Sequence, residues 1–275
     1  MKFFRSVLID LDSTVFNTDE QVTGYLRKTL DYKYKPNIVS YDFNTTANLL
    51  YRCSDMEQWR NKESYKAFVD MIDASKSKLD LNIGKKELRQ AHSDKNAFLS
   101  DEFGFYPGVL NSIRALINLG IHVTFKTRVA GTPDDSAIVT RKYELLRQGL
   151  TGSYNYFDFL VLSMDSPLDL RFDAIFDDNI GEYIGLLENE RKSYANLGEC
   201  LSSVTDSFIG QRKFYLIDKS YNTDAYLSAL FSCKKTVSDE VHERYLLKPY
   251  EKVENLVQGI SKYVSSIPLT YLINN

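Results

Sequence analysis

Residues 6–14 read SVLIDLDST, and this stretch decides the predicted fold. Its first half is a short run of strand-forming apolar residues, which is typical of a buried strand in a parallel sheet. The run ends at Asp10, and Asp12 and Thr14 follow at alternate positions. Because ligands bind outside the carboxyl ends of the strands in open α/β sheets, we expect these polar side chains to line a ligand crevice.

The chain beyond Tyr106 alternates predicted strands with predicted helices. Pro107 and Gly108 form a turn signal before the first of these helices, and Gly120 is a predicted helix terminator. This alternation predicts an α/β protein with a Rossmann-like parallel sheet and right-handed crossovers. The predicted strands cover 121–125, 157–162, 173–176 and 213–217, and the predicted helices cover 109–119, 137–148, much of 182–203 and 247–263.

Residues 17–105 have a different character from the rest of the chain. No convincing parallel-strand pattern occurs there. Helical patterns cover 20–30, 56–73 and 85–97, and polar stretches separate them. We therefore predict two domains, which are a core formed by 1–16 and 106–275 and a helical insertion formed by 17–105.

Composition excludes several classes of protein. The 275 residues include 34 basic and 37 acidic side chains, a formal net charge of −3, which disfavours a protein that coats long nucleic acids. A small anionic substrate remains compatible with this balance. No apolar run approaches the roughly 20 residues of a membrane-spanning helix, Met1 leads directly into a strand without a signal-peptide pattern, and the three cysteines are widely spaced. We therefore predict a cytoplasmic protein without a membrane partner.

The carboxylates of Asp10 and Asp12 are close enough in sequence to need a cation. Neighbouring carboxylates repel each other, and each raises the pKa of the other unless positive charge is nearby. Magnesium suits such a pair because it prefers oxygen ligands and shares them with water and substrate phosphate. The alternative is a polar strand end whose carboxylates are solvated and bind no metal. The apolar strand before Asp10 and the threonine after Asp12 favour the magnesium site.

Two later strands end in residues of matching chemistry. The second ends at Thr127, whose hydroxyl can bind a phosphate oxygen, and Arg128 adds a positive charge beside it. The third ends in Asp177 and Asp178, which can complete an oxygen site for magnesium next to the first strand. The alternative for the third strand is that Asp178 or Asn179 caps the following helix, and the two roles can coexist.

The order of these three strand ends resembles the haloacid dehalogenase (HAD) superfamily of hydrolases. The resemblance covers 1–16 and 106 to about 265, and the insertion resembles a C1-type cap that closes over the active site. It implies that Asp10 is the nucleophile and that Asp12 is the general acid/base, with its backbone carbonyl on magnesium. The other implied roles are support of the loop by Thr14, phosphate binding by Thr127 and metal binding by Asp177 and Asp178.

Two positions depart from the pattern of that superfamily. Ser13 stands where glycine is common. The lysine of the third motif, which pairs with the nucleophile and the phosphate, has no obvious counterpart. By chain position we assign this catalytic role to Arg171, while Arg141 and Lys142 on the helix after the second strand are the alternatives. The predicted substrate-binding residues are Thr14, Arg128 and Lys142.

Two short stretches bear on the substrate. Residues 218–222 (DKSYN) resemble the strand exit of 5'(3')-deoxyribonucleotidases, with serine in place of proline. Residues 126–132 (KTRVAGT) and 141–142 resemble the phosphatase domain of polynucleotide kinases. The resemblance to the HAD superfamily implies a magnesium-dependent phosphomonoesterase that forms an aspartyl-phosphate. Because the net charge is acidic, we expect it to act on nucleoside monophosphates. The alternatives are a polynucleotide 3'-phosphatase and a non-catalytic binding protein on the same fold.

Overall fold

A computed structural model describes residues 5–29, 70, 93–151, 157–163, 166, 168, 172–183, 186, 213–219 and 250–268. Its strands are β1 (Ser6–Asp10), β2 (His122–Val129), β3 (Phe157–Ser163), β4 (Ala174–Asp177), β5 (Lys213–Ile217) and β6 (Tyr250–Val253). Its helices are α1 (Thr18–Thr29), α2 (Lys95–Phe98), α3 (Val109–Asn118), α4 (Asp135–Gly149) and α5 (Leu256–Ser265). Among the helices in these ranges, none is both long enough and apolar enough to cross a membrane.

The six strands form one sheet in the order β3-β2-β1-β4-β5-β6. Every neighbouring pair of strands is parallel. This confirms the predicted α/β fold with a Rossmann-like parallel sheet. The strand order reverses between β1 and β4, and ligand crevices of open α/β sheets open at such a switch point. The carboxyl ends of β1 and β4 are therefore the expected place for a binding site.

β1 lies in the middle of the sheet because its side chains are apolar on both faces. Val7, Leu8 and Ile9 are fully buried, and each such side chain contributes roughly 1.5–3 kcal/mol through removal from water. The apolar run stops at Asp10, which is paired in register with Lys126 of β2. The sequence of β1 therefore fixes both its central place and the point at which polar groups emerge at the crevice.

Helices α3 and α5 pack against each other beside the sheet. Gly120 has a left-handed φ of 72° directly after α3, so it ends that helix as predicted. At Gly259 of α5, a Cβ atom would lie 3.1 Å from Cδ1 of Phe176 on β4. Glycine at that position therefore allows α5 to approach the sheet closely. Phe176 in turn stacks on Tyr215 of β5, with ring centroids 4.9 Å apart.

The predicted helix over 247–263 is wrong in its first half. Residues Tyr250–Val253 form β6, which pairs in parallel with β5, and the helix begins only at Leu256. The side chain of Asn255 explains this start, because its Oδ1 accepts a hydrogen bond from the backbone N–H of Gln258 at 3.0 Å. The available edge of β5 therefore outweighs the helical pattern of the segment before Asn255.

The two boundaries of the predicted insertion, residues 15–16 and 105–106, are in direct contact. Phe16 stacks on Phe105 with ring centroids 4.8 Å apart. The backbone N–H of Tyr106 donates to the carbonyl of Val15 at 3.0 Å. The two boundaries of the predicted insertion therefore lie side by side. Because most of 17–105 lies outside the described residues, the two-domain division and the cap stay predictions.

Candidate active site

A pocket lies at the carboxyl ends of β1, β2 and β4, at the switch point of the sheet. It therefore brings together the three strand ends that the sequence singled out. Ser93 and Phe98, from the predicted insertion, also line it. Its lining carries six acidic side chains and three basic ones, which are Asp10, Asp12, Asp135, Asp177, Asp178 and Glu182 against Lys126, Arg128 and Lys142.

Three carboxylates form a cluster in this pocket. Asp10, Asp177 and Asp178 are buried, and each offers an oxygen within 4.8 Å of the others. Burial raises the pKa of Asp10 well above its usual value, Lys126 opposes the rise, and Asp177 and Asp178 add to it. Burial likewise raises the pKa of Asp177 to about 7, even though Lys126 is nearby. The ionised forms of both carboxylates are therefore disfavoured, and a cation bound beside them would relieve this cost.

Lys126 is a site residue that sequence reasoning missed. Its side chain is almost fully buried, and Nζ lies 2.6 Å from Oδ2 of Asp177 and 3.1 Å from Oδ1 of Asp10. Oε1 of Glu182 is a third neighbour at 3.4 Å. Burial alone would lower the pKa of Lys126, but these carboxylates raise it above its usual value, so the side chain is an ammonium ion. In the sequence it is a single lysine within a predicted strand, and only the register of β1 and β2 shows that it lies opposite Asp10.

Asp12 is held by a different cation. Nζ of Lys142 lies 2.6 Å from Oδ1 of Asp12. The hydroxyls of Thr18 and Thr127 donate to the two oxygens of Asp12, at 2.9 and 3.0 Å. Burial raises the pKa of Asp12, but the Lys142 ammonium and these hydrogen bonds outweigh it and hold the pKa below its usual value. Asp12 is therefore an ionised carboxylate in this arrangement.

The guanidinium of Arg128 connects the helical residues after β4 to the end of β3 at the edge of the pocket. It forms a forked pair with both carboxylate oxygens of Glu182. Nη1 also donates to the carbonyls of Ser163 and Ser166, at 2.6 and 2.9 Å. Burial raises the pKa of Glu182, but Lys126 and Arg128 outweigh it and lower the pKa below its usual value. Arg128 lines the pocket, and its predicted contact with substrate stays a prediction.

The third residue of the loop after β1 is Ser13, which stands where glycine is common in the HAD superfamily. Ser13 has a φ of 59°, in the left-handed region. That conformation costs a residue with a side chain roughly 1–2 kcal/mol. Directly after it, the hydroxyl of Thr14 donates to Oδ1 of Asp178 at 3.3 Å. Thr14 therefore links the loop after β1 to the end of β4, which fits its expected role in supporting the loop.

Asn179 caps the helical residues 180–183, and Asp178 is left for the cluster. Oδ1 of Asn179 accepts a hydrogen bond from the backbone N–H of Gly181 at 2.9 Å. The backbone N–H of Asn179 donates to Oδ1 of Asp177 at 2.8 Å. Capping and a possible metal site therefore coexist. Arg171 and 220–222 of the nucleotidase-like stretch lie outside the described residues, so their predicted roles stay predictions.

The chemistry of the carboxylate cluster fits a hard divalent cation. Asp10, Asp177 and Asp178 offer oxygen ligands alone, which suit Mg²⁺ better than a metal that prefers sulfur or imidazole. The excess of acidic over basic side chains in the pocket lining favours the same kind of ion. These three residues would hold it.

Comparison with known proteins returns similar solved structures at low sequence identity. No family model matches this sequence, and no curated protein matches it. The chain is similar to the HAD-hydrolase YfnB of Bacillus subtilis, solved with magnesium bound (12% identity, 97% and 100% of the two chains, TM-score 0.45). It is also similar to a Clostridium acetobutylicum protein described as a predicted phosphatase (15% identity, 90% and 100% of the two chains, TM-score 0.43). A third similar structure is L-2-haloacid dehalogenase of Xanthobacter autotrophicus (13% identity, 97% and 100% of the two chains, TM-score 0.39). At such low identities and TM-scores, these similarities assign neither a family nor an activity to the chain.

Proposed function

We propose that this protein is a magnesium-dependent phosphomonoesterase of the HAD type, with Asp10 as its nucleophile. The observation that carries this proposal is that Asp10 and Asp12, only two positions apart in the sequence, have different surroundings. Asp10 is grouped with Asp177 and Asp178, whereas Asp12 is held by Lys142 and a threonine hydroxyl. One carboxylate therefore lies with potential metal ligands, and the other lies with hydrogen-bond donors, as a nucleophile and a separate acid/base require.

The reaction follows from these two roles. In the first step a carboxylate oxygen of Asp10 attacks phosphorus, and the bond from phosphorus to the leaving oxygen breaks. Asp12, in its protonated form, gives its proton to that oxygen, which departs as an alcohol. In the second step Asp12 takes a proton from a water molecule that attacks the same phosphorus. The Asp10 carboxylate is restored, and inorganic phosphate leaves.

The contacts of Asp12 favour its action as a base. Lys142, Thr18 and Thr127 all stabilise its ionised form, and its pKa is below the usual value. That state suits the second step, in which water loses a proton. The first step needs a protonated Asp12, so the contact between Asp12 and Lys142 has to loosen once the phosphate is bound.

Bound Mg²⁺ would supply the positive charge that the pocket lacks. The lining has six acidic side chains and only three cations, so it offers little positive charge to a phosphate dianion. Lys126 and Lys142 are already engaged by carboxylates. Asp10, Asp177 and Asp178 would hold the ion, whose chemistry is to neutralise the oxygens of the transferred phosphoryl group.

The proposed substrate is a nucleoside monophosphate in the cytoplasm. The DKSYN stretch over 218–222 and the acidic net charge support this choice over long nucleic acid. A polynucleotide 3'-phosphatase is the second candidate, because Lys142 belongs to the stretch that resembles those enzymes and its ammonium reaches the site.

A phosphate-release screen tests the proposal. The purified protein is assayed with Mg²⁺ against nucleoside 5'- and 3'-monophosphates, sugar phosphates and 3'-phosphorylated oligonucleotides. Turnover of the monophosphates above the oligonucleotides supports the nucleotidase, and the reverse order supports the second candidate. Absence of phosphate release from every substrate, together with tight binding of one of them, would instead favour a binding protein on this fold.

A further inference from the structure

Lys126 differs from the other cations of the pocket because three carboxylates share its one ammonium group. An ammonium has three N–H donors. Carboxylate oxygens of Asp177, Asp10 and Glu182 lie 2.6, 3.1 and 3.4 Å from Nζ. The side chain is 1% exposed, so bulk water does not replace these contacts. Donors and neighbouring carboxylates therefore match in number.

The backbone fixes the position of this ammonium. Lys126 lies directly opposite Asp10 in the register of β1 and β2, and opposed residues in a sheet project to the same face. The backbone N–H of Leu11 also donates to the carbonyl of Lys126 at 3.0 Å. The lysine is thus built into the sheet beside the nucleophile, in the same strand as Thr127.

Lys126 contacts carboxylate oxygens that a divalent cation could also use as ligands. Oδ2 of Asp177 faces the lysine at 2.6 Å, while Oδ1 of Asp177 accepts from the backbone N–H of Asn179 at 2.8 Å. Both oxygens of Asp177 are therefore already in use. Oδ1 of Asp10 is shared with the same lysine. A cation that takes Oδ1 of Asp10 or Oδ2 of Asp177 has to share that oxygen with the ammonium or displace the ammonium.

We propose that Lys126 is the resident counter-ion of Asp10 and Asp177, which keeps the two carboxylates together without metal and weakens the binding of Mg²⁺. This inference rests on the proposed function, since it concerns the same cation site. The ammonium lowers the repulsion within the cluster, so the metal-free protein keeps its site assembled. Because the ammonium also repels a second cation, a higher concentration of free Mg²⁺ is needed to fill the site.

The variant Lys126→Met tests this inference, because it keeps most of the side-chain volume and removes the charge. Calorimetric titration with Mg²⁺, without substrate, should show binding tighter than in the wild type by about tenfold or more. In chelator, the Tm of Lys126→Met should be lower than that of the wild type. Mg²⁺ should then raise the Tm of the variant more than it raises the Tm of the wild type.

Lys142→Met is the matched control, because Lys142 is also a buried lysine of the pocket but contacts Asp12 instead of the cluster. Its Mg²⁺ affinity should change by less than about threefold. Unchanged or weaker affinity in Lys126→Met, or an equal gain in both variants, overturns the inference and leaves the proposed function standing. A wild type that binds no Mg²⁺ and releases phosphate in chelator overturns the proposed metal site and the inference together.

A measurement on the wild type covers the case in which Lys126→Met fails to fold in either buffer. The ammonium of Lys126 is followed by nitrogen NMR of the lysine side chains and is assigned by its loss in Lys126→Arg. Titration with Mg²⁺ should shift this resonance, because the cation takes oxygens that the ammonium now uses. A resonance that stays in place at saturating Mg²⁺ overturns the inference.

Discussion

Nζ of Lys142 lies 2.6 Å from Oδ1 of Asp12, and both groups line the pocket at the ends of β1 and β2. We predict that Lys142→Met lowers kcat by about tenfold to a thousandfold, because Asp12 loses the cation that orients it and stabilises its ionised form. The pKa of Asp12 should rise, so the acidic limb of the profile of kcat against pH should move to higher pH. Steady-state kinetics across a pH series measures both effects.

Lys142→Arg and Lys95→Met are the controls for this prediction. Arginine keeps the positive charge and should retain part of the activity, although its forked geometry differs from that of an ammonium. Lys95 is an exposed lysine that pairs with Asp134, so its replacement should leave kcat unchanged. A folded Lys142→Met variant with the wild-type pH profile would show that Lys142 does not control Asp12.

The second prediction concerns the nucleophile. Asp10→Asn should abolish turnover and leave the fold intact, since an amide has nearly the same shape as a carboxylate but does not attack phosphorus. Phosphate release measures turnover, and circular dichroism together with thermal denaturation verifies the fold. Acid-quenched wild-type protein should carry phosphate on Asp10 that the variant lacks. Activity in carefully purified Asp10→Asn protein would eliminate Asp10 as the nucleophile.

The third prediction concerns the metal. Chelation should remove activity and Mg²⁺ should restore it, because Asp10, Asp177 and Asp178 present hard oxygen ligands. Ca²⁺ should inhibit, since it takes more ligands at longer distances and disturbs the alignment of nucleophile and leaving group. Assays with metal-depleted protein and added ions measure both effects. Full activity in chelator, or a requirement for Zn²⁺ alone, would contradict this prediction.

The fourth prediction concerns stability at high pH. Burial raises the pKa of Tyr215 to about 12, and the negative charge of Glu251 adds to this shift. Because the folded state binds the phenolic proton more tightly, the resulting stability is fully present below the unfolded pKa of about 10 and is lost as pH rises towards 12. Tyr215→Phe should therefore lose less stability than the wild type between about pH 10 and pH 12.

Chemical denaturation at several pH values measures this difference, and Tyr143→Phe is its control. Tyr143 is 42% exposed, so its replacement should leave the alkaline loss of stability unchanged. If Tyr215→Phe declines with pH as steeply as the wild type, the titration of Tyr215 does not limit stability in this range.

The sequence determined the fold well where a pattern is local. The apolar run before Asp10 correctly predicted a buried parallel strand, and Gly120 correctly marked the end of α3. It failed at β6, because Tyr250–Val253 has mixed polarity and becomes a strand by pairing with β5. Such pairing is a tertiary contact that a local pattern does not report.

The candidate site shows the same difference between local patterns, which the sequence reports, and contacts between strands, which it does not. Asp10 and Asp177 were found because each ends a recognisable strand. Lys126 was missed, because its meaning depends on the register that sets it opposite Asp10. The ammonium that lies 3.1 Å from Asp10 comes from β2, and the assignment of Arg171 as a cation for the nucleophile stays a prediction. Residues that act across strands are therefore the part of a site that sequence spacing does not locate.

The last prediction concerns the insertion over 17–105, which we expect to choose the substrate and to contribute little to the chemical step. The described residues of this segment include Phe98, which lines the pocket and lies under Lys142, with Nζ 5.1 Å from the ring centroid. The aromatic residues that we expect to act with it, Tyr41, Phe43, Tyr51, Trp59 and Tyr65, lie outside the described residues. Phe98 is therefore the position at which the structure allows a sharp test.

Phe98→Leu should raise KM for nucleoside monophosphates about five- to tenfold, because its buried ring completes the pocket wall against which we expect the base to pack. KM for phenyl phosphate should change much less, and kcat should stay close to the wild-type value for both substrates. Phe103→Leu is the matched control, because Phe103 packs edge-on against Phe98 in the core, with ring centroids 5.2 Å apart, and is not part of the pocket lining. If folded Phe98→Leu lost kcat equally on both substrates, the ring would act through Lys142 on the chemical step. The insertion would then belong to the catalytic machinery, and the nucleotidase assignment would lose its main physical support.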